Sequence, residues 1–349
     1  MPGGPAANEH TVGVGVLWSF CSGPTARSLV TRPERYASCA MRIILLGTTL
    51  PCSGGAIVIW QQLLANGLIA GSTYGLVALG FTLIYSVSRF FHFAHAGVIC
   101  FSGYVTLTLV TQVHFPFGVA VALSIILSAL MGVLMEAGVY RPLRKTRASS
   151  VSLLVASLGL YVVVQNGISM AYGDEVQTLF SPGMPGLLLS EARITLVQVL
   201  ILGVNAVLYA IVGLFLARTR SGRMVRALAS DPELARAFGI DPNRVMILVF
   251  ALGSGLAAVA GILISCDTNL TPTMGFRALL MGVVAAVVGG VGSVPGAIVG
   301  GLFIGLAQHL GVWILPTQWQ DAIVFAILIL FLLVRPQGVF GAPLRKAAV

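Results

Sequence analysis

The sequence predicts an all-α, polytopic membrane protein of about nine transmembrane helices, in a range of eight to ten, with broken or re-entrant segments and an inverted repeat. The first observation behind this is composition: 57% of the 349 residues are hydrophobic, only 9% are charged, and the mean hydropathy is +0.96. Soluble domains carry about a quarter charged residues, so 20 Lys and Arg with 11 Asp and Glu cannot cover a chain of this length in water. The second is the length of the uncharged runs, residues 43–88, 90–135 and 278–320, each enough for two crossings of a core roughly 30 Å thick. The third is the placement of the bases, which gather in short clusters between the apolar runs. A net charge of +9 can point to nucleic acid, but clusters of this kind form neither a stripe nor a tail. They read as cytoplasmic loops beside membrane lipid, with no nucleic-acid partner.

Residues 1–42 are rich in Gly, Pro, Ser and Arg and lack periodicity. They read as a disordered or misassigned leader, with translation starting at Met41 or a little later; a targeting sequence is the other reading. Residues 43–58 are apolar and of open status, since a cytoplasmic N-terminus requires a tenth span there. A transmembrane domain is expected over 59–335, with a short cytoplasmic tail at 336–349. Besides the three long runs, single crossings are expected near 151–172, 196–216, 245–265 and 322–334, the last somewhat short.

Orientation follows from short-loop Lys and Arg. Arg141, Arg144, Lys145 and Arg147 form one cluster, the loop 218–244 a second, and Arg335, Arg345 and Lys346 a third. All three are expected in the cytoplasm, so the C-terminus is cytoplasmic. The connections at 173–193 and 267–275 are acidic or without bases and are expected outside.

Glycines recur four residues apart inside the spans: Gly71 and Gly75, Gly296 and Gly300, Gly301 and Gly305. Small residues one turn apart let helix backbones approach closely in lipid. Two segments read as broken helices, SRFFHFAHAGVICFSGY at 88–104 and GGVGSVPGAIVGG at 289–301. Irregular backbone at membrane depth belongs where protein buries it or a cavity receives it. Residues 71–84 also resemble 253–264; five spans separate the two starts, so the copies are inverted.

The candidate pathway residues are Asn66, His92, His95, Gln165, Asn166, Gly289, Gly290, Gly292 and Ser293. The polar side chains inside spans suit a zwitterionic solute, although bonds between helices explain them equally well. His92 and His95 share a helix face but have no third ligand, so no metal is expected. The five cysteines form neither a disulfide framework nor a zinc pattern. Lys145 and Lys346 each follow an Arg, so the Gly-Lys-Ser/Thr of a phosphate loop is absent. No catalytic residue and no cofactor is expected: Ser254 with His309 is the only Ser/His pairing in plausible spans, and Asp174, Asp267 and Asp321 fall at outer edges.

The most informative stretch is the loop 218–244, RTRSGRMVRALASDPELARAFGIDPNR. Ser230 or Asp231 can cap a short helix, Pro232 suits its first turn and Gly239 can stop it. Met224, Val225, Leu228 and Ala229 make an amphipathic piece before it. A structured, basic loop is a docking element for a partner protein or for anionic headgroups.

Glu233, Ala235 and Gly239 reproduce the Glu-x-Ala-x-x-x-Gly core of the coupling motif in permeases of bacterial ABC importers. With GLIAGSTYGLVALGFTLIY (67–85), HFAHAG (92–97), YRPLR (140–144), GGVGSVPGAIVGG and RPQGVFG (335–341), the chain from about Ile59 to Pro343 resembles the LivH-type permease subunits of high-affinity branched-chain amino acid ABC transporters. Two departures, His92 in place of the usual Asn and Ala96 between His95 and Gly97, bear on the solute and not on the class. The resemblance implies a non-enzymatic subunit of the bacterial inner membrane. Its implied partners are a second, LivM-like permease, two cytoplasmic ATP-binding subunits and a periplasmic substrate-binding protein. It also implies that Arg223, Arg226, Asp231, Glu233, Ala235 and Gly239 form the ATPase-coupling loop. A urea or short-amide ABC permease is the nearest alternative, and a stand-alone ion-coupled carrier a more distant one. The latter class places ionisable groups mid-membrane, whereas every acid here except Glu136 falls at an end or in a loop.

Overall fold

The computed structural model describes residues 53–179, 186–189, 192–335 and 337–341. The expected leader 1–42 and residues 43–52 lie outside them. Helix α1 (Ser53–Ser88) is followed by α2 (Ala94–Thr111) and α3 (Phe117–Met135). One π-helical turn, Glu136–Tyr140, leads into the short α4 (Arg141–Lys145), and α5 (Ser150–Tyr172) follows. A small antiparallel hairpin, β1 (Gly186–Leu189) with β2 (Ala192–Thr195), precedes α6 (Leu196–Arg218), α7 (Arg220–Ser230) and α8 (Pro232–Ala237). The chain continues through α9 (Pro242–Asp267), α10 (Met274–Gly289), α11 (Val294–Gly311), a 3-10 turn at Thr317–Trp319, and α12 (Gln320–Val334).

Among the described residues eight helices are long and apolar enough to span a membrane, and α10 is a shorter apolar helix beside them. The chain is therefore a multi-pass membrane protein with the expected span count. The run 43–88 departs from the expectation of room for two crossings, because residues 53–88 form one unbroken helix. Its 36 residues reach about 54 Å at 1.5 Å per residue. No proline or turn signal interrupts it, and its glycines serve packing.

The helices divide by burial. In α1 83% of the most apolar window is buried, against 6% in the window that contains α12. The reason is legible in their side chains. The inner helices α1, α2, α9 and α10 are dense in Gly, Ala and Ser, which allow close approach. The α12 sequence QDAIVFAILILFLLV is bulky and presents itself to lipid.

Glycines set the closest crossing. A Cβ added to Gly71 would lie 2.9 Å from the Leu302 Cα, and one added to Gly67 3.1 Å from the Leu306 Cα. In return, a Cβ on Gly301 or Gly305 would collide with the backbone of Gly75 or Gly71. Gly71 and Gly75 thus face Gly301 and Gly305 across α1 and α11, while Gly296 and Gly300 meet the backbone of Gly289 and Ala285 on α10. A Cβ on Gly80 would stand 3.0 Å from the Gly253 carbonyl, and one on Gly253 3.0 Å from the Gly80 carbonyl. The two similar segments therefore lie on helices that cross at reciprocal glycines and run antiparallel.

Both interrupted segments bend the chain at the end that carries α4, α7 and α8, here termed the basic end. Between α1 and α2, Arg89 adopts φ +57. The loosened backbone there is satisfied by Ser157 of α5, whose hydroxyl accepts from the Phe93 amide at 3.1 Å. Between α10 and α11, Gly290 and Gly292 have φ of +113 and +89, conformations that favour glycine. The final segment then returns to this turn, where the Val339 and Phe340 amides donate to the Val288 and Gly289 carbonyls, each at 2.9 Å. These are carbonyls that a helix C-terminus leaves open.

Replacing Gly71 and Gly301 together by Leu is expected to lower thermal stability in detergent, since overpacking costs about 1–3 kcal/mol per site. Gly167→Leu and Gly203→Leu, where an added Cβ meets nothing within 4 Å, are expected to unfold as the parent does. Fluorescence-detected size-exclusion after a heating series reads the difference.

Candidate functional site

Two regions at opposite ends of the bundle carry polar chemistry. At the basic end, Thr219 caps α7 by accepting from the Gly222 amide at 2.9 Å. Gly222 has no room for a side chain, because a Cβ there would strike the Phe215 carbonyl and the Leu216 backbone. This presses α7 onto the end of α6, with Val225 and Leu228 buried beneath it. Asp231, not Ser230, caps α8: its Oδ1 accepts from the Glu233 and Leu234 amides, both at 3.0 Å, with Pro232 in the first turn.

Helix α8 ends in a Schellman motif. The Ile240 amide donates to the Ala235 carbonyl at 3.1 Å and the Gly239 amide to the Arg236 carbonyl at 2.9 Å. This geometry needs the left-handed conformation, and Gly239 supplies it with φ +80. Ala235 is buried, while Glu233, Leu234, Arg236 and Phe238 are exposed around it; Phe238 has 79% of its surface open. Arg223 and Arg226 are exposed on α7. The six residues expected to form the loop's working surface therefore lie on one folded helix pair. One link runs inward, a hydrogen bond from the Arg89 guanidinium to the Ala229 carbonyl, which ties the bend after α1 to the end of α7.

At the opposite end a cavity of about 700 Å³ opens among α1, α6, α9, α10 and α11. It exists because α10 is short: 16 residues extend about 24 Å, less than a hydrocarbon core. The irregular segment 268–273 fills the remainder of that crossing. It is pinned by reciprocal amide–carbonyl bonds between Leu270 and Gln177 at 2.8 and 3.0 Å. The Cys100 thiol lies 3.2 Å from the Pro272 carbonyl and accepts from the Gly275 amide at 3.2 Å. Non-helical backbone at this depth is tolerable where it lines a cavity.

The cavity's polar wall includes Asn66, Tyr74, Gln198, Asp267, Arg277 and Gln308. Arg277 pairs with Asp321 at 2.9 Å, and Gln308 donates to the same carboxylate at 3.3 Å. Gln198 donates to Asp267 at 3.2 Å. The Gln308 side chain is buried, and among the described residues its Oε1 accepts no hydrogen bond.

Of the expected pathway residues, Asn66 lines this cavity and accepts from Gln62 at 3.0 Å. His92 and His95 lie fully buried among α1, α2, α9 and the π-helical turn, with His92 Nδ1 3.0 Å from the Tyr140 hydroxyl and the two rings edge to face. Among the described residues no group of three metal-ligating side chains occurs. Asn166 is on the exposed side of α5, bonded to its own helix at Val162, with Gln165 half-buried next to it. Gly289, Gly290, Gly292 and Ser293 form the turn at the basic end, where Ser293 caps α11 by accepting from the Gly296 amide at 3.2 Å.

Arg277, Gln308, Tyr74, Gln198 and Asp267 escaped the sequence reading. One signal was available: Arg277 is a base at the end expected outside, where bases are scarce. Treating charged residues as span boundaries hid it.

The family described as branched-chain amino acid transport system, permease component, matches residues 63–332. The chain is 34% identical over 299 residues to the high-affinity branched-chain amino acid transport system permease protein BraD of Pseudomonas aeruginosa, covering 81% of this chain and 96% of that protein. It is 33% identical over 298 residues to LivH of Escherichia coli, with coverage of 81% and 96%. It is also 26% identical over 301 residues to a probable LivH of Methanocaldococcus jannaschii, with coverage of 82% and 94%.

Asp231→Ala is expected to cost about 1 kcal/mol of local stability through loss of the cap. Hydrogen exchange should quicken at the amides of Glu233 and Leu234 and leave α9 protected.

Proposed function

Because the chain belongs to the branched-chain amino acid transport system permease family, we propose that it is the membrane subunit of an ABC importer and forms part of the pathway for branched-chain amino acids. It spans the bacterial inner membrane with its basic end and C-terminus in the cytoplasm. There two ATP-binding subunits engage the loop 218–244. A second, LivM-like permease completes the pathway, and a periplasmic binding protein delivers solute to the opposite end. Residues 59–335 are the working domain.

The observation that carries this reading is the loop's construction. Four features hold α8 in one shape: the Asp231 cap, Pro232, buried Ala235 and left-handed Gly239. The shape leaves Leu234 and Phe238 in solvent, 55% and 79% exposed. Exposed apolar side chains on a rigid, basic helix end form a docking knob for a protein groove. The path inward is short, through α9, which starts at the Asp241 cap directly after the knob, and through Arg89.

The relatives above favour the branched-chain reading over urea or short amides. A stand-alone carrier is not favoured either: Glu136, the one acid placed inside a span, is sealed against Arg144 and is not free to relay ions.

The tests act on the knob. Glu233→Lys or Gly239→Asp is expected to abolish uptake of labelled leucine and to release the ATPase on purification, while the protein still inserts. Phe238→Ala should weaken ATPase retention without lowering thermal stability, because the residue is 79% exposed. Normal uptake in all three variants overturns the docking role.

A further inference from the structure

We propose that the cavity opposite the basic end is a solute site whose Arg277 and Gln308 recognise the two charged ends of a zwitterionic, aliphatic amino acid. The inference rests on the importer reading and adds the residues that read the solute.

The cavity's chemistry is that of a built site. Its volume of about 700 Å³ falls within the range of small-molecule pockets. Part of the wall is aliphatic, with Ile69, Ile201, Leu263, Ile264 and Met281, and suits a branched hydrocarbon side chain. Arg277 sits in the first turn of α10, and a guanidinium has five donors. Its ion pair with Asp321 is made from one terminal nitrogen at 2.9 Å, and its side chain is 63% exposed. Donors therefore remain for the forked grip on a carboxylate that arginine makes best.

The acceptor side is independent of Arg277. Gln308 is 1% exposed, its amide nitrogen donates to Asp321, and its Oε1 accepts no hydrogen bond among the described residues. A buried acceptor without a partner costs about 1–3 kcal/mol; Gln308 lines the cavity, and a rotation of its side chain brings the covered Oε1 to an arriving ammonium. Asp267, on the same wall, accepts from Gln198 at 3.2 Å and keeps acceptor capacity for the same cation. The cavity lining thus offers a cationic fork, an orphan carbonyl, a carboxylate and an aliphatic surface. A neutral amide uses only part of this set, whereas a zwitterion with a hydrocarbon side chain uses all of it.

An ion pair that merely ties α10 to α12 is the competing explanation, and exchanging the charges separates the two. The experiment uses the complete transporter in proteoliposomes, with initial rates of labelled leucine uptake and ATPase copurification both measured. Arg277→Gln with Asp321→Asn is expected to cut uptake roughly tenfold or more while the ATPase stays bound. Arg277→Asp with Asp321→Arg, which restores the pair in reverse, is expected to stay as inactive. Recovery in the exchanged variant, or normal uptake in the neutral one, overturns the proposal. If either double variant fails to insert, Gln308→Met decides, because it keeps the volume and removes the carbonyl: uptake at low leucine should fall several-fold, and unchanged uptake overturns the proposal. A wild-type complex that holds its ATPase but carries no leucine overturns the importer reading itself, and this inference with it.

Discussion

The contact of backbone on backbone between α1 and α11 is the constraint from which the rest of the structure follows. In lipid no hydrophobic drive pulls one apolar helix to another, so association depends on packing area and close approach. Gly67, Gly71 and Gly75 on α1 meet Gly301 and Gly305 on α11 at distances that exclude any side chain. Once the two helices are locked at these positions, the residues a turn away are fixed as well. Asn66 and Tyr74 then converge with Gln308 and His309 on one cavity. The crossing thus sets one side of the cavity, and the short α10 leaves the other side open.

The same rigidity gives a physical connection between the ends. Helix α1 runs from the cavity wall at Asn66 to Arg89, whose guanidinium holds the end of α7. Helix α9 runs from the knob's edge at Asp241 to the cavity at Asp267. The two cross at Gly80 and Gly253. In the proposed reading, displacement of the knob by an ATPase is delivered to both cavity walls by continuous helices, and close packing of this kind moves as rigid bodies instead of deforming smoothly. The fully buried His92 and His95 sit at the hub of this arrangement. The His92 ring packs against Tyr140 and Phe250, and the His95 ring meets His92 edge to face.

Much of this was legible in residue types. Apolar run length located the spans, glycine spacing located the closest crossing, and Asp231, Pro232 and Gly239 marked the start and stop of α8, because caps and left-handed turns are local demands that few residues meet. The cavity was not legible, for a definable reason. Its members come from α1, α6, α9, α10 and α11, and nothing local in Gln308 or Tyr74 distinguishes a cavity wall from a helix contact. Asn66 and Asn166 look alike in sequence, yet one lines the cavity and the other lies exposed on α5. Only the rotation of each helix about its axis separates them, and that rotation is set by tertiary packing. The continuous α1 shows the same limit, since an uncharged run fixes how much chain the membrane can hold and not where it turns.

Charge in this chain is scarce, and of the three ion pairs among the described residues the two that are not the local Arg244–Asp241 contact at the start of α9 differ in kind. Glu136, in the π-helical turn, is 1% exposed and Arg144, in α4, 21%. Separating them strands a buried carboxylate, which costs about 3–5 kcal/mol, so this pair is a fixed part of the basic end. Arg277 and Asp321 are 63% and 42% exposed, and Arg277 lines the cavity together with Gln308. An exposed pair is worth about 0–1 kcal/mol, so exchanging one carboxylate for another at Arg277 requires little work. Of the two pairs, only the second can give up its partner to a solute and take it back when the solute leaves. A transport site must bind weakly enough to release, and the open pair meets that condition where the sealed one does not.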